Sequence, residues 1–390
     1  MYLSLLLAFG GLALVFSLPG GGEGEPEEEP HYPDDLTETG DGQFLGTTGD
    51  DLLMLDEVVT PDDRDEIHAE ADMGPGDDTV SAQSGTREYL VVEGDYDLGA
   101  GNDTFESLNT FTSNTSVDGG EGDDFISLGN AGGENNLLEG GSGDDTITAG
   151  EGIGYNDYFS DNTILGGEGD DVLSAGASAW SGHTVYDSGA STVEGGDGND
   201  TIDVYFGEAQ GDAGNDVITL QAEGSAYGGA GDDSILVGGH DNVEHNLLAD
   251  GGEGADTITA LGAGTTLVGG EGDDVLNANI SDYFRTQNDS DAPSGPGASG
   301  VVLEGGAGAD QFGIDAELYV EHYQGPGAYD NLAHGFYEMG GSDDGGVTEP
   351  GLLATITDFE SGVDSLELPS DVGSDGITAA LSTYQIAPAA

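Results

Sequence analysis

Cysteine is absent from the 390 residues, so the chain has neither a disulfide framework nor a thiolate metal site. Lysine is absent too. Three arginines stand against 79 aspartates and glutamates, for a formal net charge of −76. That excludes nucleic acid as a partner, because binding it requires basic side chains to displace counterions. Acidic polysaccharides and anionic membrane surfaces are disfavoured for the same reason. Such a surface attracts cations. It also suits solubility in concentrated salt, and composition alone does not separate these two readings. Two catalytic signatures are missing as well: no H-E-x-x-H zinc helix and no G-x-S-x-G nucleophile elbow occur. The best remaining candidates for chemistry are His322 and His334 in EHYQGPGAYDNLAHGF, and their separation matches no metal-site spacing.

Glycine is abundant, with 72 copies, and 35% of residues are apolar. Both follow a period. A nine-residue frame with Gly at position four and Asp at position six recurs twelve times. Its aspartates are Asp51, Asp78, Asp103, Asp124, Asp145, Asp171, Asp200, Asp216, Asp233, Asp256, Asp274 and Asp310. Position eight plays no part in finding the units, and it holds Leu53, Val80, Phe105, Ile126, Ile147, Leu173, Ile202, Ile218, Ile235, Ile258, Leu276 and Phe312. All are apolar. The best-kept spelling, GGEGDDVL, occurs at Gly166–Leu173 and again at Gly269–Leu276. Met73 and Leu98 replace the first glycine, Thr47 and Asp212 the second, and Ala255 and Ala309 stand at position five.

The frame G-G-x-G-x-D-x-U-x, with U apolar, resembles the RTX (repeats-in-toxin, haemolysin-type) calcium-binding repeat over roughly Gly46 to Gly313. The resemblance implies an all-β fold, a parallel β-roll (a right-handed β-helix-like solenoid), with several calcium ions as cofactors. It also implies that each ion sits between the turns of neighbouring coils. The expected ligands are the twelve aspartates, together with backbone oxygens of the turn glycines Gly120, Gly122, Gly141, Gly143, Gly167, Gly169, Gly196, Gly198, Gly229, Gly231, Gly252, Gly254, Gly270 and Gly272. Calcium takes six to eight oxygens from carboxylates and carbonyls alike.

Successive aspartates lie 16, 17 or 18 residues apart where no insert intervenes. Two nine-residue units make one coil, so each coil carries one acidic turn and one degenerate half. The degenerate half keeps its apolar slot at Val117, Leu138, Ile164, Val193, Leu267 and Leu303. This places calcium mainly along one edge. Long inserts follow the units at Asp145, Asp171 and Asp274 and carry Tyr155, Tyr158, Phe159, Trp180, Tyr186, Tyr283 and Phe284. They cover the side of the roll or bind a surface glycan or protein.

The magnitudes predict a roll that depends on its ions. Carboxylates in coils ~4.8 Å apart repel by about 1 kcal/mol in water and about 3–4 kcal/mol at an effective dielectric of 20. One buried aliphatic side chain returns about 1.5–3 kcal/mol. Ordering a coil of ~18 residues costs ~1–2 kcal/mol per residue. Calcium is therefore expected to drive folding by mass action.

The two ends differ from the repeat. Tyr2–Leu18 is uncharged and reads as a signal or membrane anchor (1–18), followed by an acidic Gly/Pro/Glu linker (19–43). After the roll (44–313), residues 314–390 form a small β-rich C-terminal cap or a type I secretion-like region. Within them, ATITDFESGVDSLELP is similar to a stretch near the C-terminus of RTX proteins. The function implied is an extracellular calcium-binding repeat protein. A calcium-stiffened adhesin or surface module is the alternative, and an RTX-linked enzyme is a more distant one.

Overall fold

The computed structural model describes residues 5–9, 12–16, 36–40, 42–55, 66–83, 91–108, 110–128, 133–150, 159–176, 190–238, 247–261, 264–279, 301–315, 354–358, 363–367 and 385–386. Every regular element among them is a strand. Two parallel sheets run the length of the roll, and the chain alternates between them. Leu137–Ser142 in the first sheet turns at Gly143–Asp145 into Thr146–Ala149 in the second, then returns to Thr163–Glu168 in the first. The second sheet stacks thirteen strands from Leu52–Met54 to Ser365–Glu367.

Register is strict. Ile126, Ile147, Leu173, Ile202, Ile218, Ile235, Ile258 and Leu276 follow one another as direct partners in the second sheet. The position-eight residues of all twelve units are buried. The opposing row contains Val117, Leu138, Ile164, Val193, Leu267 and Leu303, all without solvent exposure. Three coils between them use Ala209, Ala226 and Ala249 instead. Inward residues from two sheets thus fill a narrow core, and alternation sends their neighbours outward. Tyr96 and Phe105 pack ring to ring at 5.0 Å within it.

The return corner differs between coils. In three of them a left-handed residue, Asn114, Asn135 or Asp161, precedes a buried Thr115, Asn136 or Asn162. These side chains tie coil to coil: Asn136 Oδ1 accepts the Thr115 amide at 3.0 Å, and Asn162 Oδ1 accepts the Asn136 amide at 3.1 Å. The long inserts all leave from this corner, so the acidic corner is uninterrupted. Their aromatic residues lie outside the described residues, apart from Phe159 in the short strand Phe159–Ser160. His322 and His334 also lie outside.

At its N-terminal end the first sheet finishes in an antiparallel hairpin, Thr37–Gly40 with Gln43–Leu45. At the other end the β-rich segment does not sit across the roll as a separate lid. Ala354–Ile356 adds to the first sheet and Ser365–Glu367 to the second, both in parallel, so they form a further coil. Within the apolar stretch Tyr2–Leu18, Leu5–Phe9 pairs antiparallel with Leu12–Phe16. Among the described residues no helix is long and apolar enough to cross a membrane.

Candidate metal centre

The acidic turns form one column. At its centre is a hydrogen-bonded ladder: Oδ1 of each position-six aspartate accepts the backbone amide of the position-six aspartate one coil earlier. Asp103 donates to Asp124 at 2.7 Å, Asp124 to Asp145 at 2.7 Å, Asp145 to Asp171 at 2.7 Å and Asp171 to Asp200 at 2.8 Å. The series runs from Asp51 through Asp310 without a gap. It thereby joins all twelve aspartates read from the sequence.

Asparagine could supply the same Oδ1. The second oxygen shows why aspartate matters. Oδ2 of Asp78, Asp103, Asp124, Asp145, Asp171, Asp200, Asp216, Asp233, Asp256 and Asp274 is buried and has no hydrogen-bond partner. Leaving a buried ionised oxygen unpaired costs more than any ordinary polar burial. Removal from water pushes Asp103, Asp124, Asp171 and Asp233 up to about 7. It pushes Asp78, Asp145, Asp216 and Asp274 up to about 6. Asp200, Asp256 and Asp310 are also raised by desolvation. In each, the ladder hydrogen bond opposes the shift and neighbouring carboxylates add to it.

The orphan oxygen is not alone in its niche. A Cβ on Gly140 would meet both Asp145 Oδ2 and the Gly166 carbonyl oxygen under 3.0 Å. The same two groups, one carboxylate oxygen and one carbonyl oxygen from the next coil, surround the first glycine of seven further units, from Gly119 to Gly269. In these eight units only a residue without a side chain leaves this space to the oxygens. No three His, Cys, Asp or Glu side chains among the described residues are disposed to hold a metal together. A cation here draws one or two carboxylates and completes its shell with backbone carbonyls. An all-oxygen set of that kind fits calcium.

The turn glycines expected as carbonyl donors stack coil on coil. Gly120, Gly141, Gly167, Gly196, Gly229, Gly252 and Gly270 have φ between +102° and +119°. Each sits against the equivalent carbonyl of the preceding coil, as Gly141 does against Gly120. Gly122, Gly143, Gly169, Gly198, Gly231, Gly254 and Gly272 stack in the same way one step further on. Both sets set the close approach of the coils. The first-position glycines, which line the orphan oxygens, are the ones that sequence reasoning left out. Their signal was present, since position one is Gly in every unit from Gly119 onward.

Position five carries a second, exposed ladder that runs the other way. Asp123 Oδ1 accepts the Asp144 amide at 3.0 Å, and Asp144 Oδ1 accepts the Asp170 amide at 2.9 Å. It breaks at Ala255, which offers no acceptor, and resumes where Asp273 Oδ1 accepts the Ala309 amide at 2.8 Å, while the buried ladder beside it continues unbroken from Asp256 to Asp274.

Two further departures from the frame gain a reason. Asp51 begins the buried ladder with no earlier coil to donate an amide to its carboxylate. Thr47, in place of the second glycine, donates its amide at 2.6 Å and its hydroxyl at 3.1 Å to Asp51 Oδ2. At the other end, Asp364 Oδ1 accepts the Asp310 amide at 3.1 Å and so extends the column. Asp358 accepts the amides of Gly305 at 3.0 Å and Gly306 at 2.7 Å. Gly362, Asp364 and Leu366 keep positions four, six and eight of the frame, a signal hidden by the long separation from Asp310.

A model of one repeat family, the RTX calcium-binding nonapeptide repeat (4 copies), matches residues 130–152, 159–179, 187–208, 225–243 and 250–282. Repeats of this type bind multiple calcium ions. The aspartate column extends beyond the matched stretches on both sides, back to Asp51 and on to Asp364. No curated protein and no solved structure matches the chain.

Proposed function

We propose that this RTX-repeat chain is an extracellular calcium-binding protein whose roll assembles as calcium binds. The observation that carries the reading is the row of ten buried, unpartnered Oδ2 atoms. Each is a full or partial negative charge withdrawn from water, and eight of the ten share their niche with a carbonyl oxygen of the next coil. An ion bridging Asp145 Oδ2 to the Gly166 carbonyl joins two coils through atoms that otherwise oppose their contact. The position-six aspartates and the first-glycine carbonyls would hold the ions. The position-two and position-four glycines let the coils approach. Calcium in the millimolar range is an extracellular condition, and the uncharged Tyr2–Leu18 stretch supports export. The role is binding rather than catalysis.

The test is a calcium titration of the chain from residue 19 onward, followed by calorimetry and far-ultraviolet circular dichroism. Binding of several ions with a cooperative gain of β signal is expected. Fewer than about four bound ions, or a β signal equal with calcium and with chelator at neutral pH, contradicts the reading.

A further inference from the structure

The two outer faces of the roll differ in charge. On the first sheet Asp72, Asp97, Asp118 and Glu139 are direct neighbours in one outward row. On the second sheet the position-seven row contains no charged residue in any of its thirteen strands. Within it Thr104, Phe125, Thr146, Val172, Thr201 and Val217 succeed one another in register. Threonine alternates with an apolar residue over six coils. Phe125 is 41% exposed, Val172 49% and Val217 48%, three of the five large apolar side chains exposed on the described surface. The adjoining outward row holds three carboxylates, Glu106, Asp203 and Glu367, among ten uncharged residues, and Gln221 Nε2 donates to Asp203 at 2.7 Å.

β-Branched residues suit any strand, which accounts for the threonines and valines singly. It does not account for an uncharged strip in a chain where one residue in five is acidic. We propose that this face is the contact between two copies of the chain, packed sheet on sheet. Two arguments select a second copy. The first sheet's face and the turn edge carry rows of carboxylates, whereas the two central outward rows of this face carry three, so this is the face through which two copies meet with least charge opposition. Its size also fits. Thirteen strands at ~4.8 Å and four to five residues at ~3.3 Å give ~820–1,030 Å², against ~800 Å² per partner in a stable interface. Face-to-face sheets stand ~10 Å apart, which exceeds the ~8 Å screening length at physiological ionic strength, so edge charges on the two copies are largely screened from each other.

Sedimentation velocity on the full chain in millimolar calcium, with circular dichroism of the same sample, tests this. A dimer is expected at ~50 µM, strengthened by added salt, with the calcium-induced β signal present. Val172→Glu combined with Val217→Glu should sediment as a monomer with that signal intact. If this pair lowers the β signal, Thr146→Glu with Thr201→Glu replaces it at polar positions of the same row. Thr163→Glu with Leu165→Glu on the first sheet should leave the dimer unchanged. A wild-type monomer with a formed roll overturns the proposal, as does a dimer that survives the Val172/Val217 pair or the Thr146/Thr201 pair, or one that is lost in the Thr163/Leu165 pair. A chain whose β signal does not respond to calcium fails the functional reading instead, and the circular dichroism trace separates the two failures.

Discussion

Acid should do part of the work of calcium. With chelator present, ionised position-six aspartates sit in niches that favour the neutral form. Their ordinary value is 3.8, and in the roll they stand at about 6 or about 7. A rise of that size corresponds to about 3–4 kcal/mol per ionised group at neutral pH. The niches are one layer from solvent, and screening reduces this to about 1.5–2 kcal/mol. Along a column of such groups the opposition is of the order of the whole stability of a typical domain, ~5–15 kcal/mol. Because the folded values lie above the unfolded one, the ion-free roll is favoured below about pH 4 and loses that advantage as pH rises through 6 to 7. In chelator, β signal should therefore grow on going from about pH 8 to about pH 5, still above the chain's isoelectric point near 4.1. In calcium the trend reverses in sign, since the ion requires the carboxylates ionised: calcium affinity should weaken as pH falls through 7 to 6. Circular dichroism at matched ionic strength measures both. A chelated chain whose β content is flat across this range refutes the desolvation argument.

Other outcomes follow from single residues. Asp171→Asn keeps the ladder acceptor but removes the buried charge, so calorimetry should show fewer calcium ions while chelated samples gain β signal. Gly140→Ala forces a methyl into the niche of Asp145 Oδ2 and the Gly166 carbonyl, and should cost about 2–4 kcal/mol in urea melts with calcium present. Ile147→Ala opens the core at a fully buried site and should cost about 2–5 kcal/mol, raising the calcium concentration needed for half-folding. Asp358→Ala releases two amides, and hydrogen exchange at Gly305 and Gly306 should accelerate at least tenfold for a loss of about 1.4 kcal/mol or more.

The period carried most of the architecture. Gly at four, Asp at six and an apolar residue at eight determine a turn, a ligand and an inward side chain, and all three occur where the spacing places them. What the spacing could not convey was division of labour among glycines. Gly120 and Gly119 are the same letter, yet one sits against a carbonyl of the coil before and the other faces a carboxylate from its own turn. That distinction arises from φ and from stacking, which a single unit does not contain. Alanine in the inner row was also hard to read, because Ala209, Ala226 and Ala249 look like background in a Gly/Ala-rich chain and only register shows them aligned with Val193 and Leu267. Asp364 was concealed by sequence distance, although its local frame is intact.

The buried ladder has a direction. A coil added at the C-terminal end of a growing stack finds the preceding aspartate's amide already in place, so its carboxylate is aimed on arrival. A coil added at the N-terminal end must wait for the next one to aim its own. Thr47 resolves this at Asp51 by supplying a donor from within the same turn. The two ends of the roll are thus unequal as starting points: fragments trimmed from the C-terminus should retain correctly aimed ligands throughout, and fragments trimmed from the N-terminus should lose calcium first at their new leading turn, a difference that calorimetry on paired truncations would register.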